Sequence, residues 1–539
     1  MLNTLLLLFR TVRHLKLRQV AFQVWYRVRP TPKIAYSSEV VAKQRLDWQG
    51  HRYASQSYFP QNTFDFLNSS FELKSVDDWN NPSVDKLWLY NLHYFDDLNA
   101  INCEERVTQQ RDLILQWIDQ NPVMQGNGWE PYPLSLRIVN WIKWCWRNPE
   151  FADKLILNSL HTQVNALEKQ LEFHILANHL FANIKALIFA GQFFEGNDSQ
   201  RWLRVGQRLL RQELKEQFLS DGAHFERSPM YHCILMWDLL DLYCLFRHSE
   251  IEKESFDEQL KNRIENGLSW LNNMIHPDGE IPFFNDTTFG IAPSVAHIQQ
   301  YASLLGVQPN KTELTQSGFF RREIGAYALI ADIGKIEPRY QPGHAHAETA
   351  SFELSVSKQR VFVNSGINEY GMSAERLMQR STAAHNAVEA CWSTTGVNSS
   401  EVWSGFRVAR RAKVNSIVTQ NSIECRIRGF WRSNKSAVHT RKFDLGSDAK
   451  PELMIHDSLC GAEAGVAHFH LHPNCQVTTV ESNRVEIGFE GGSVNLVFGG
   501  NATQVTVENF NWYPGFGKKQ SSKKILVQFK DELVTTISS

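Results

Sequence analysis

The chain has 539 residues, enough for several domains with large cores, and its 42% hydrophobic and 21% charged composition is that of an ordinary globular protein. Lys+Arg 56 against Asp+Glu 57 leaves a formal net charge of -1, so no global field selects nucleic acid as a partner. The eight cysteines are scattered without a CxxC, which points to buried thiols rather than a disulfide framework or a thiolate zinc site.

Residues 1–84 form a first, connecting segment. Leu5-Leu6-Leu7-Leu8-Phe9 is apolar, and Arg10, Arg13, Lys16 and Arg18 follow at once. A secretory signal carries its basic residues first and a small-residue cleavage site after a longer apolar core, and neither is visible. The pattern predicts a basic amphipathic helix resting on a membrane surface or on the next domain. No later stretch is apolar and long enough to cross a bilayer as a helix.

Residues 85–312 carry helical periodicity from about residue 105 to 306. Segments that read this way include Val107 to Ile118, Leu134 to Trp146, Lys154 to Phe173, His179 to Phe194, Trp202 to Phe218, Pro229 to Phe246 and Leu260 to Ile275. Helices joined by short turns pack as antiparallel neighbours, and a long series of such hairpins closes into a solenoid or a ring.

Between Gly306 and Gly318, Pro309 and Asn310 interrupt the helical pattern, and residues 313–539 change texture. They alternate, are rich in Val, Thr and Phe, and carry turn signals such as Asn364-Ser365-Gly366 and Glu490-Gly491-Gly492. This half is expected to be an antiparallel β-sandwich. The fold class is therefore α+β multidomain.

Several short runs carry chemistry. Asn178 is expected to cap the helix that His179 opens, and a helix start suits an anionic ligand. Ser228-Pro229 is a second helix start; it puts Tyr231 in the first turn, where the positive end favours a phenolate. Pro342-Gly343-His344-Ala345-His346-Ala347-Glu348 leads into the alternating Thr349 to Leu354, so His344 and His346 are expected on one face of a strand. His346, Asn364 and His385 supply two imidazoles and one oxygen, ligand types that suit zinc, although Asn364 offers only a neutral oxygen. The tract Ala467 to Pro473 reads as sandwich strand. Loop carboxylates Asp221, Glu226, Asp278 and Asp286 admit a glycoside hydrolase, and a non-catalytic glycan-binding role is a third reading.

Taken together, Asn178-His179, Ser228-Pro229-Met230-Tyr231-His232, Gly343 to Glu348 and Arg380-Ser381-Thr382-Ala383-Ala384-His385-Asn386 resemble the heparinase II/III family and its alginate-lyase relatives, over roughly residues 85 to 530. The resemblance implies an incomplete α/α toroid followed by the sandwich. It also implies cleavage of an acidic, uronate-containing polysaccharide by β-elimination, leaving an unsaturated uronate end. Asn178 takes the carboxylate-binding role, His179 a base or positioning role, and Tyr231 and His344 the catalytic ones. Glu226 and Arg380 are candidate substrate-binding residues. His346 and His385 match metal ligands, with Asn364 where the family often has aspartate, which implies a structural zinc. The implied compartment is the cell envelope or periplasm; without a clear cleavable signal, the cytoplasm is the alternative.

Overall fold

The structure is a computed structural model that describes residues 2–43, 46–248, 253–393, 395–433, 435–447 and 450–539. Its helical half runs from Lys86–Tyr94 to Val295–Leu304, and its strand-rich half begins at Phe319–Ile324. Helix Ala177–Phe193 is apolar almost all round, as is Pro229–Arg247, and both are buried along nearly their whole length. Gly196–Gln217 packs against the former with Trp202, Leu210 and Leu214 inward, and it leaves its Arg and Lys residues on the outer side. Trp117, Trp141, Trp144 and Trp202 are fully buried between these layers, so much of the tryptophan content is core.

Helix Lys154–Glu168 stops short of the expected Phe173. The Lys169 amide bonds the Ala166 and Leu167 carbonyls, which tightens the last turn, and the Glu172 amide donates to Asn183 Oδ1 at 2.8 Å. Residues 171–176 are thus held as a loop, and the next helix starts at Ala177. Leu176 and Ala177, neither of them glycine, both have positive φ, 70° and 53°, and Arg227 and Asn285 share that conformation at 58° and 55°. Such strain persists only where surrounding structure over-determines the backbone, and all of these residues flank the loops that carry the candidate site.

The strand-rich half contains an eleven-stranded and a four-stranded antiparallel sheet. In Ser422–Arg432 the residues Ile423, Cys425 and Ile427 are wholly buried while their neighbours are not, the period-two pattern of a one-sided strand. In Phe352–Val356 every residue is buried, because each face has a partner. Phe352 and Leu354 join the sandwich core, with Phe352 against Phe443 and Phe469. Glu353 and Ser355 point the other way, to the two ring nitrogens of His276 in the helical half. The smaller sheet is therefore the inner layer between the large sheet and the toroid, as an antiparallel sandwich docked on a ring requires.

The junction is tied down by one carboxylate. Asp221 Oδ2 accepts the amides of Thr315, Gln316 and Ser317 at 3.2, 2.9 and 2.8 Å, and the Ser317 hydroxyl at 2.8 Å. Gly222 follows with φ +90°, and a Cβ there would lie 2.1 Å from the Asn266 carbonyl oxygen, so only glycine fits this turn.

The N-terminal segment forms two helices, Leu2–Val12 and Leu17–Val28, and a three-stranded sheet within residues 58–72. The second helix rests on both halves. The buried Gln19 amide donates to the Ile175 carbonyl at 3.3 Å and to the Tyr340 carbonyl at 3.2 Å.

Candidate active site

Four loops converge where the two halves meet: 171–178, 226–231, 283–288 and 341–348. Ser228 caps its helix as expected, accepting the Tyr231 amide, with Pro229 in the first turn. Its hydroxyl donates to the Asp286 carbonyl at 2.6 Å, and the Asp286 amide donates to the His344 carbonyl at 2.9 Å. Asn285 adds three links: its amide to Glu348 Oε1, its Nδ2 to the Arg227 carbonyl, and its Oδ1 from the His346 amide. The 283–288 loop is thus the splice between the Tyr231 helix and the histidine loop.

The histidine run is not a strand. Residues 341–351 form turns, and the strand begins at Phe352. His344 and His346 therefore do not share a face. The His344 ring lies on that of Tyr231, centroids 3.8 Å apart at 13°, and its Nδ1 pairs with Glu226 Oε2 at 2.5 Å. His346 turns inward to Asp286 Oδ1 at 2.7 Å and His385 Nε2 at 3.1 Å.

Asn178 lies within the first helical turn rather than at the cap, where Leu176 stands. Its backbone amide donates to Glu226 Oε1 at 3.4 Å. Glu226, expected to touch substrate, is instead buried with one oxygen toward each domain's contribution to the site, so it orients Asn178 and His344. Burial disfavours its charge, but His344 outweighs that and holds the Glu226 carboxyl below the usual range.

His179 pairs through Nδ1 with Glu172 Oε1 at 2.9 Å, and its ring packs against Tyr132 with centroids 4.5 Å apart. Burial works against its proton, yet the Glu172 charge and hydrogen bond prevail and raise the pKa above the ordinary value. A histidine whose protonated form is favoured in this way suits charge neutralisation better than proton abstraction.

The Tyr231 phenol is pushed well above its usual pKa by burial and by Tyr370, whose hydroxyl lies 3.0 Å away. The helix start does not win. Desolvation dominates, so the ground state is the neutral phenol, a proton donor. Tyr370, Glu172 and Tyr132 were missed by sequence reasoning; Tyr132 between two prolines and Tyr370 beside Glu369 and Gly371 stand in turn-like runs that could have marked them.

Arg380 does not face substrate. It is wholly buried, and its Nε and a terminal nitrogen donate to the Ala345 carbonyl at 3.1 and 2.7 Å, which braces the histidine loop. The other loop carboxylates are engaged too: Asp221 at the junction, Asp278 with Arg360, and Asp286 with Arg376 and His346. None is left as the free acid–base pair of a hydrolase.

For the metal, His346, Glu348 and His385 each offer a ligand atom, all within 4.8 Å of one another and buried. Glu348 Oε2 lies 3.1 Å from His385 Nδ1, and neither atom has a hydrogen-bond partner of good geometry. Asn364 Oδ1 instead accepts the Asn386 amide at 3.1 Å. The donor set that fits a zinc-type cation is thus two imidazoles and the Glu348 carboxylate, with Asn364 serving the backbone. His468 and His470 are local, as expected, on Glu389 and the Ala383 carbonyl.

An interrupted helical ring joined to a sandwich, with a phenol and an imidazole stacked between them, defines a class of two-domain folds. Sequence models of that class match nearly the whole chain: the Heparinase II/III N-terminus over residues 11–315 and the Heparinase II/III-like C-terminal domain over residues 307–539. The chain belongs to the heparinase II/III family. The heparin-sulfate lyase of Pedobacter heparinus is 28% identical over 288 residues, 47% of this chain and 43% of that protein. The heparin-sulfate lyase of Bacteroides stercoris is 24% identical over 272 residues, 44% and 39% of the two chains. The match thus spans less than half the length of these curated relatives. A solved heparinase III superposes with TM-score 0.63 at 16% identity, covering 96% of this chain and 89% of that one. The heparan sulfate lyase structure from Pedobacter heparinus gives 0.55 at 16%, covering 92% and 86%. At these identities the structural likeness shows the toroid-plus-sandwich fold.

Proposed function

We propose that this protein is a polysaccharide lyase that breaks a uronate-containing chain by β-elimination. The observation that carries the proposal is the face-to-face contact of Tyr231 and His344 beside the Asn178-His179 helix start.

The C5 proton of a uronate is hard to remove while the carboxyl group is a full anion. Asn178 and the Glu172-paired His179 donate to that carboxylate and spread the charge that develops on it. His344 takes the C5 proton at Nε2, since Nδ1 is committed to Glu226, whose negative charge stabilises the imidazolium. The electrons of the C5–H bond form the C4–C5 double bond, and the C4–O4 bond breaks. Tyr231, kept neutral by burial, gives its proton to the departing O4 and can be reprotonated through Tyr370. No water is consumed. A zinc-type ion held by His346, Glu348 and His385 would supply positive charge that orders the histidine loop from behind.

The test is growth of ultraviolet absorbance from the new double bond on a panel of polyuronates, sulfated and unsulfated. Folded protein that gives reducing ends without that absorbance would instead be a hydrolase. Turnover that survives in Tyr231→Phe would remove the proposed acid.

A further inference from the structure

The first two helices are built unlike any packed helix in the rest of the chain. Leu17, Val20, Val24 and Val28 recur at the three- and four-residue spacing of a core-facing stripe. Here all four are exposed, Leu17 at 88% and Val28 at 69%. Trp25 beside them is also exposed. The helix is fastened through its other side. Gln19 reaches two carbonyls, Tyr26 donates to the Leu171 carbonyl, and Phe22 packs on Phe173. Helix Leu2–Val12 repeats the arrangement with Leu5, Phe9 and Val12 exposed, while Thr11 accepts from Trp403 Nε1.

Charge selects the occupant of this face. Of the basic residues in or beside the two helices, Arg10 and Lys16 pair with Glu401 and Glu216, and Arg18 and Arg29 lie over Phe173 and Tyr26 on the fastened side, which leaves Arg13 and Arg27 with the exposed face; the first acidic residue of the chain is Glu39. The segment has no acidic residue of its own before Glu39, so the exposed side of the two helices carries Arg13 and Arg27 and no carboxylate from within the segment. Helix Leu17–Val28 has 12 residues, about 18 Å, well short of a hydrocarbon core of roughly 30 Å. Among the described residues no helix is long and apolar enough to cross a membrane.

We propose that this face docks on the surface of an anionic lipid bilayer, its apolar stripe at the headgroup–acyl boundary and Arg13 and Arg27 on lipid phosphates. An exposed tryptophan at the edge of the stripe suits the same interface. The helix lies on the membrane and does not span it. The docked surface adjoins the site, because Gln19 holds the carbonyls of Ile175 and Tyr340, just ahead of Asn178 and His344 in the chain.

Co-sedimentation of the full chain with vesicles of phosphatidylglycerol and phosphatidylcholine, against phosphatidylcholine alone, tests this. Binding is expected to the first and to weaken with salt. Leu17→Asp with Val24→Asp should abolish it, and Arg13→Glu with Arg27→Glu should weaken it on the order of tenfold or more. These positions are exposed, so thermal melting should match wild type, and the readout does not depend on turnover. Folded protein that ignores anionic vesicles, or variants that bind as well as wild type, would overturn the proposal. So would a wild-type dimer in solution that the Asp variants dissociate, because the face would then belong to a second copy of the chain.

Discussion

Tyr231 and His344 stack at 3.8 Å although they stand 113 positions apart and come from different domains. A phenol from the helical half and an imidazole from the strand-rich half therefore lie face to face at the junction. In the proposed mechanism, neither half alone supplies both the acid and the base.

Replacing either ring atom set should show this division of labour. Tyr231→Phe keeps the stack and removes only the proton, and steady-state turnover is expected to fall by about a hundred- to ten-thousand-fold with little change in melting temperature. His344→Ala should lose a similar factor. The double variant should lose much less than the product of the two, because groups acting as one unit are not additive.

His179 sets an alkaline limb. Its pKa is raised above 6.5 by Glu172, so the cation is fully present below that value and is lost as pH rises through the elevated folded value. The pH profile of kcat/KM should fall on the alkaline side accordingly. Glu172→Gln removes the counter-charge and should shift that limb to lower pH; an unmoved limb would take His179 out of the reaction.

Arg376 and Asp286 are both sealed from solvent, with guanidinium nitrogens 2.5 and 2.7 Å from the two carboxylate oxygens. Arg376→Ala leaves a buried carboxylate with only His346 and should destabilise the fold by about 3–5 kcal/mol in chemical denaturation. Burial alone would raise the Asp286 pKa, but Arg376 and His346 depress it. Its contribution to stability is thus present above the ordinary carboxylate value and is lost as pH falls through the depressed one. Acid titration of wild type and variant should converge at low pH.

Metal content separates the two oxygen candidates. Protein purified without chelator is expected to carry zinc by elemental analysis. Glu348→Gln and His385→Ala should lower that content and the melting temperature, while Asn364→Ser should leave the zinc in place. Loss of zinc in the Asn364 variant alone would restore the sequence-based assignment.

The layers of the fold were legible because burial imposes period. The all-round apolar runs Ala177–Phe193 and Pro229–Arg247, and the alternation in Ser422–Arg432, each announce how many faces are covered. Ser228-Pro229 was legible for the same reason, since a cap and a first-turn proline are local chemistry. The histidine run was misread as a strand because its alternation continues that of Phe352–Val356, whereas tertiary bonds from Asn285 and Asp286 bend it into turns. Local sequence also gave the wrong sign for the Tyr231 phenol, which burial at the junction, followed by Tyr370 from the other domain, pushes upward. Glu226 and Arg380 looked like ligand contacts because charge is visible in a sequence, and the residue that consumes the charge is not.

The Asp221 clamp gives the connection between the halves no slack. Swinging the sandwich away from the ring would strip four donors from one buried oxygen at once. The seam between the two halves is therefore set as the chain folds, by a single side chain that grips the start of the second half.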